Sequence, residues 1–583
     1  MRWKVVARAC LGLVAVLILA IVWLVHSGLR AESELRAAKD SIREVWNRDS
    51  NVNPASLVGT IDKVQEHCSR AYASTHDPVW WLAAHVPLLG RTPAAIQAVT
   101  KSLDEVSRAS SYTNEKLGKY QRPSGVIVDE RLLQIASELV DNLQEPILAS
   151  KDRLDALNLS SVPGPIKQPV IMARTLFDDA EPYVQQGQTF IETAPLLLGL
   201  DRKRSWLVIM NNGAEARSTG GLPGGWGVLT VDAGRVELTR LETNSAISAK
   251  PLVNWQRYVS QSVAGLYGGD LAYFADMNLS PDFPTNARLM NALYRQHTGN
   301  KVDGVMFIDE TTLAGLMVPS GPVRLNGRKI TSGSVANYIT KGIYQDYPNP
   351  KKKDEAVMEI TRRVFAHLSS KSIHEIGYAR AFIPSIFRGR FHIWSVDKTD
   401  QKQIFKTPMS GSMVNIKNPT HMAVVINGAG NKIDAYVGAT VTFEQQKCST
   451  EVPYRKAQMQ VELRNSAPKS GLPSYVTPRN DLGKHNNSRP GSTYELIYVH
   501  APAGAVLNSA QIGRQEVFAF ADGFDSGRQV WAFGVELPAQ AIRKLTVSFE
   551  EPADLLSPPP VLGVQPMAIP MTTKVISGGN CGS

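Results

Sequence analysis

The residues best suited to chemistry lie in the stretch NNGAEARSTGGLPGGWGVLTV, residues 211–231, where one arginine accompanies six glycines. Arginine presents a planar set of N–H donors that suits phosphate or carboxylate, and glycine-rich turns can direct backbone N–H groups at the same anion. Glycine is also costly to order, so such a cluster indicates turns with positive φ or a close approach of the backbone. We therefore predict an anion site. Its candidate residues are Asn212, Arg217, Gly220, Gly221, Gly224, Gly225 and Arg288.

Two aspartates near the same predicted strand ends are candidate metal ligands. Asp276 and Asp282 lie in or beside DFPTNARL, and Mg²⁺ prefers hard oxygen ligands that it shares with phosphates. Mg²⁺ is thus a candidate cofactor, and the cofactor is otherwise unknown. A structural alternative stays open, because Glu215 and Arg217 can close a tight loop and Asp282 can cap the helix that follows it.

Several catalytic signatures are missing from the sequence. It contains no GxxxxGK[ST], HExxH, CxxC or GxSxG motif. The glycine cluster reads GGxxGGxG and lies between two predicted strands instead of opening a helix, which excludes the dinucleotide fingerprint. The eleven histidines are scattered without the spacing of zinc ligands. Whether the chain is an enzyme stays open.

The N-terminal run ACLGLVAVLILAIVWLV, residues 9–25, has seventeen residues without a charge. This length is at the lower limit for a membrane span, and basic residues precede it. The positive-inside rule then places residues 1–8 in the cytoplasm and the bulk of the chain outside. We predict a single-pass transmembrane anchor over residues 9–26, in the cell membrane. A cleaved signal peptide is the alternative, although no A-x-A-like site follows the run.

The cysteines and the net charge give less information about compartment and partners. A disulfide between Cys448 and Cys581 is one hypothesis for an oxidising compartment, and unpaired structural thiols are the other. The formal net charge of +10 is compatible with an anionic envelope surface, and we predict no nucleic-acid partner.

The 583 residues are too many for one compact core. We predict an α/β extracytoplasmic domain, a helical region before it and an antiparallel β-sandwich after it. The predicted segments are a helical stalk or bundle at 31–200, the α/β domain at 201–409, the β-sandwich at 410–556 and an extended proline-rich tail at 557–583.

The chain resembles a known bacterial envelope family. The stretches NNGAEARSTGGLPGGWGVLTVDAGRVEL, DFPTNARLMNALY and VDGVMFIDETTLAGLMVPSGPVRL are similar to the family catalogued as domain of unknown function 4012 (DUF4012). The resemblance implies a location in the cell envelope, and genes of this family often lie beside genes for surface polysaccharide. It implies no activity, because none is established for the family.

A more distant resemblance is to the LytR-CpsA-Psr proteins, which transfer glycopolymers from a polyprenyl-pyrophosphate carrier to the cell wall. It is carried by the order of LLLGLDRKRSWLVIM, TNARLMNAL and VDGVMFIDETTLAGLMVPSGPV. It implies that Arg217 binds pyrophosphate together with Mg²⁺. The second strand ends in LETNSAI, where that family carries an arginine and an aspartate.

Two functions are compatible with these observations. The first is a membrane-anchored envelope protein that binds, and in a stronger form transfers, a phosphate- or pyrophosphate-linked glycan in surface polysaccharide assembly. Its partners would be the membrane and a lipid-linked glycan or cell-wall polysaccharide. The alternative is a non-catalytic structural or adhesive envelope component whose β-sandwich binds glycan or protein.

Overall fold

The computed structural model describes residues 2–47, 54–87, 89–121, 123–368, 382–414, 421–446, 454–485, 489–552 and 560–576. The chain divides into two compact units, Met1–Leu197 and Leu198–Ser583.

The first unit is helical. Apolar residues of its longer helices recur at three- and four-residue spacing, so that each helix has one face to bury. The core of this unit includes Val99, Leu154 and Phe177. Its helices are α1 (Arg2–Asn47), α2 (Pro54–Thr75), α3 (Pro78–Ala84), α4 (Arg91–Ser111), α5 (Asn114–Lys119), α6 (Glu130–Asp155) and α7 (Gly164–Leu198).

The predicted transmembrane anchor at residues 9–26 is wrong. Among the residues that the structure describes, no helix is long and apolar enough to cross a membrane. The apolar run is at the lower limit of the length that a span needs, and α1 continues from it into a charged segment with Glu32, Glu34 and Arg36. The part of α1 that directly follows the run is tied to α3, since Trp80 Nε1 donates to Ser27 Oγ at 2.8 Å.

The second unit begins with a five-stranded sheet in the order β3-β2-β1-β4-β7. Strands β1 and β4 are parallel, and the other neighbours are antiparallel. The strands of this part are β1 (Arg204–Asn212), β2 (Leu222–Asp232), β3 (Arg235–Thr243), β4 (Gly304–Ile308), β5 (Val323–Leu325), β6 (Arg328–Ile330) and β7 (Phe391–Ser395).

Helices pack on both sides of these strands and begin where the sequence supplies caps. Asp282 caps α9 by accepting the N–H of Thr285, and Gly299 ends that helix at φ +72°. The helices are α8 (Gln261–Tyr267), α9 (Phe283–Thr298), α10 (Glu310–Ser320), α11 (Ser332–Asn337), α12 (Ile343–Asp346), α13 (Pro350–Leu368) and α14 (Lys398–Ile404).

The rest of the second unit is a β-sandwich. One sheet has the order β13-β12-β16-β10-β9-β18 and the other β14-β15-β11-β8-β17. Their strands are β8 (His421–Asn427), β9 (Val437–Gln445), β10 (Tyr454–Asn465), β11 (Thr493–Ala501), β12 (Val506–Ile512), β13 (Gln515–Glu516), β14 (Ala521–Asp525), β15 (Arg528–Leu537), β16 (Ile542–Pro552), β17 (Leu562–Gly563) and β18 (Thr572–Ile576).

The sheet that contains β11 is buried on both faces. Ile497 and Val499 belong to the core between the two sheets, whereas Tyr498 belongs to a core shared with the α/β part. Side chains alternate between the faces of a strand, so β11 contributes to both cores. Residues 560–576 of the predicted tail also take part, since β17 pairs in parallel with β8 and β18 in parallel with β9.

Candidate functional site

The glycine-rich stretch connects β1 to β2, and the backbone explains its glycines. Gly220 and Gly221 have φ of +105° and +113°, a region that favours glycine. A Cβ on Gly221 would lie 2.3 Å from the carbonyl oxygen of Asn212. Gly224 and Gly225 lie within β2 instead. A Cβ on Gly225 would lie 2.8 Å from Cε of Met358.

Arg217 does not face solvent and is surrounded by groups of its own chain, so the anion site stays a prediction. Only 6 % of its side chain is exposed, and its Nη2 lies 3.0 Å from Glu215 Oε1 and 2.8 Å from Asp276 Oδ1. Its Nη1 donates to the carbonyl oxygens of Ala216 (3.0 Å) and Asn427 (3.4 Å). Buried guanidinium groups require counter-charges and acceptors, and the protein supplies them all here. An external anion would have to displace these partners.

The Arg217 contacts continue into the sandwich. Asp434 accepts the N–H of Ala216 at 2.6 Å, and Glu215 forms an ion pair with Lys432. Asp434 and Glu495 lie close together in the interior. Burial, reinforced in Glu495 by the neighbouring Asp434 carboxyl, raises the pKa of both groups. Two neighbouring buried carboxylates repel each other, which favours the protonated form of each.

The other predicted ligands are separated by the fold. Asp276 binds Arg217. Asp282 Oδ2 accepts from the backbone N–H and hydroxyl of Thr285, and its Oδ1 accepts the N–H of Met413 at 3.1 Å. Arg288 donates to Thr285 Oγ1 and to the carbonyl oxygen of Tyr258. Within the described ranges, no group of three or more His, Cys, Asp or Glu is arranged to hold a metal ion. Asp276 and Asp282 thus bind different groups of the protein, and the Mg²⁺ site stays a prediction.

The disulfide hypothesis concerns Cys448 and Cys581, which lie outside the described residues. Cys68 is described as a buried thiol in α2. Burial raises the pKa of this thiol to about 11, so it is unreactive at neutral pH.

Three of the predicted residues do share a cavity. Asn212, Gly224 and Gly225 line a space of about 40 Å³, together with Asp309 and Glu310. It lies where the parallel strands β1 and β4 end, at Asn212 and Ile308. Ligands in α/β proteins bind at the carboxyl ends of parallel strands. We call this space the β1–β4 cavity.

The polar wall of the β1–β4 cavity comes from the start of α10. Asp309 caps that helix through the N–H of Thr312 and forms an ion pair with Arg390 at 2.6 Å. Glu310 Oε2 accepts the N–H of Gly213 at 3.2 Å. Burial, helped by the negative charge of Asp309, raises the pKa of Glu310 to about 8. Sequence reasoning missed both acids, although their place directly after a buried strand is a signal for such a site.

A second feature lies on the sandwich surface. Residues 516–525 alternate strictly between exposed and more buried positions. Phe518, Phe520 and Phe524 are on the outward side and are 83 %, 55 % and 46 % exposed. The inward positions Val517 and Ala519 pack against the sandwich core. We call the three phenylalanines the aromatic ridge, and sequence reasoning did not single them out.

Comparisons with known proteins show which part of the chain matches a known family. A comparison with curated proteins found no match. One solved structure, a Legionella pneumophila protein described as a candidate nutrient binding protein, is 8 % identical and covers 23 % of this chain and 44 % of its own, with a TM-score of 0.15. That likeness is too low to inform the fold. Residues 201–344, in contrast, match the family described as "Protein of unknown function (DUF4012)". The predicted resemblance to DUF4012 is thus confirmed, and the matching segment begins just before β1 and ends in α12.

Proposed function

We propose that this protein is a non-catalytic component of the bacterial cell envelope that binds glycan through its β-sandwich. The observation that carries the proposal is the aromatic ridge. Phe518 is 83 % exposed, whereas the adjacent inward positions hold valine and alanine. A segment that only had to connect β13 to β14 would place its large apolar side chains inward. Exposed aromatic clusters of this kind mark interaction surfaces.

The exposed side chains along residues 516–525 are chemically suited to binding a sugar polymer. They are Glu516, Phe518, Phe520, Asp522 and Phe524. Phe518 and Phe520 lie in the connection between β13 and β14, and Phe524 lies in β14. The Phe520 ring also has an edge contact with Tyr498, at 6.2 Å between ring centres. Aromatic rings stack against the C–H faces of pyranose rings, and the two carboxylates can accept hydrogen bonds from sugar hydroxyls.

The glycine-rich loop supports binding over glycan transfer. Arg217, the residue predicted to hold a pyrophosphate, is occupied by Glu215 and Asp276. The β1–β4 cavity measures about 40 Å³, which is room for about three waters and too little for a sugar pyrophosphate. The envelope location rests on the resemblance to DUF4012.

The proposal is tested by co-sedimentation of the full chain with insoluble, protease-treated bacterial cell-wall polysaccharide. Phe518→Ser should weaken binding at least tenfold, because it removes the most exposed ring without touching the core. Tyr112→Ser is the matched control, since Tyr112 is 74 % exposed in the helical unit. It should bind like the unaltered protein.

Two outcomes would overturn the proposal. One is equal binding by the Phe518→Ser variant and the unaltered chain. The other is Mg²⁺-dependent binding of a polyprenyl-pyrophosphate analogue by the full chain. This result would support glycan transfer instead. Binding to untreated wall material but not to the protease-treated polysaccharide would identify a protein as the partner.

A further inference from the structure

We propose that the β1–β4 cavity binds a short primary ammonium group, with Glu310 and Asn211 as its acceptors. The inference is independent of glycan binding by the sandwich. It rests on the unsatisfied acceptors of the cavity, on its charge balance and on the apolar character of its remaining wall.

The first argument is hydrogen bonding. Asn211 lines the cavity and is 5 % exposed. Its Nδ2 donates to the carbonyl oxygen of Thr219 at 3.0 Å, which directs Oδ1 the other way. This Oδ1 has no hydrogen-bond partner within the part of the chain that the structure describes. Buried polar atoms are rarely left without a partner. The missing partner must be a donor.

The second argument is charge. Asp309 is paired with Arg390, and Lys353 is paired with Asp354 while its ammonium lies 5.6 Å from the ring centre of Tyr344. Glu310 forms no ion pair with any described Lys, Arg or His, although it is buried (4 % exposed). When ionised, Glu310 leaves the cavity with one uncompensated negative charge. A ligand with a single positive charge would balance it.

The third argument is the shape and polarity of the wall. Besides its acids, its asparagines, Lys353 and Thr361, the cavity is lined by apolar groups, among them Ile308, Leu313 and Ile339. Arg390 and Lys353 already pair with Asp309 and Asp354, which leaves few oxygen ligands for a bare alkali ion. An ammonium carries its own three donors on an apolar stem. At about 40 Å³, the cavity holds roughly three non-hydrogen atoms, which corresponds to ethylammonium.

One wall of the cavity contains an irregular helical turn of a kind that is frequent at binding sites. Residues Tyr338–Gly342 form a π-helical turn between α11 and α12, and Ile339 of this turn lines the cavity. π-helical turns are rare and occur frequently at functional sites. The helix that follows places Tyr344 where its hydroxyl accepts from Asn212 Nδ2 at 3.1 Å. The turn therefore shapes the wall opposite Glu310.

The test is calorimetric titration of the full chain with ethylammonium chloride, with sodium chloride, potassium chloride and ethanol as separate probes. Ethylammonium should bind, and the three others should not. Glu310→Gln should weaken ethylammonium binding at least tenfold, because glutamine keeps the hydrogen bond to Gly213 but removes the charge. Glu355→Gln is the matched control, since Glu355 lies exposed on α13. It should bind as the unaltered chain does.

A second measurement distinguishes a Glu310 that binds a ligand from a Glu310 that is only structural. Ethylammonium should ionise Glu310 and release a proton at pH 7, which appears as a dependence of the binding heat on the ionisation enthalpy of the buffer. Infrared difference spectra should show loss of a protonated carboxyl band on binding, and the Glu310→Gln variant should lack this loss. Absence of binding, equal binding of potassium, or binding that Glu310→Gln leaves unchanged would each overturn the proposal. None of these results bears on the sedimentation assay.

Discussion

Arg217 and Asp276 are partners: Nη2 of the arginine lies 2.8 Å from Oδ1 of the aspartate, across 59 residues of sequence. The sequence predicts that Arg217 binds phosphate and that Asp276 binds Mg²⁺. In the structure each side chain satisfies the other, and the pair ties the β1–β2 loop to the segment that precedes α9.

Replacement of Arg217 should therefore affect stability. Arg217→Ala leaves Glu215 buried next to a vacant position and removes the main cation beside Asp276. We expect the free energy of unfolding to fall by about 3–5 kcal/mol, as when one partner of a buried ion pair is lost. Urea denaturation measures this loss. Arg257→Ala, at an exposed position, should change the free energy by less than about 0.5 kcal/mol, and a similarly small effect of Arg217→Ala would contradict the assignment.

The glycines of the loop should differ in their tolerance of alanine. Gly221 has φ +113°, and a Cβ there would meet the Asn212 carbonyl, so Gly221→Ala should cost more than about 2 kcal/mol. At Gly224 the nearest atom to an added Cβ is 3.7 Å away, so Gly224→Ala should cost less than about 1 kcal/mol. Thermal melting of the two variants compares them directly. Equal melting temperatures would refute this distinction.

We expect Gln565 to stabilise the second unit, because it connects the C-terminal strands to the α/β part and to the β-sandwich. Its Nε2 donates to the carbonyl oxygens of Arg217 and Val425, and its Oε1 accepts the N–H of Val425. Gln565→Ala leaves these buried groups unpaired, and we expect a loss of about 1–3 kcal/mol. Chemical denaturation measures it, with Gln511→Ala on the exposed side of β12 as a neutral control. A loss no larger than that of the control would show that the tail contributes no stability through this residue.

Glu310 should make stability depend on pH. Burial raises the pKa of Glu310 from 4.5 to about 8. Between these values the folded state keeps a proton that the unfolded state has lost. The contribution of Glu310 is therefore complete below about pH 4.5 and decreases as the pH rises through 8, by up to about 1.4 kcal/mol per pH unit.

Unfolding free energies at several pH values test this prediction as a difference between two proteins. The difference between the unaltered chain and Glu310→Gln should change with pH across this window. The Glu355→Gln variant should follow the unaltered chain. A constant difference between the unaltered chain and Glu310→Gln from pH 5 to 8 would mean that Glu310 ionises normally in the folded protein.

The sequence alone determined what is local. The quoted stretches predicted the match to DUF4012 that is found over residues 201–344, and the proline-led motif DFPTNARL contains the capping residue of α9 and its Pro at the first turn. Glycine permits the positive φ of Gly220 and Gly221, although Gly224 and Gly225 of the same stretch lie in β2. The seventeen-residue apolar run shows the limit of local reasoning: its composition indicated a membrane span, whereas no helix among the described residues is long and apolar enough to cross a membrane.

The tertiary structure decided which groups meet. Arg217 and Asp434 are far apart in sequence, and only the packing of the sandwich against the β1–β2 loop brings their carboxylate and guanidinium groups into one buried cluster. The same holds for Asn211 and Glu310, which share a cavity because β1 and β4 pair in parallel. An isolated arginine can bind either a ligand or a carboxylate of its own chain, because both offer the same oxygen acceptors. The choice between them depends on long-range contacts, which no local spacing of residue types contains.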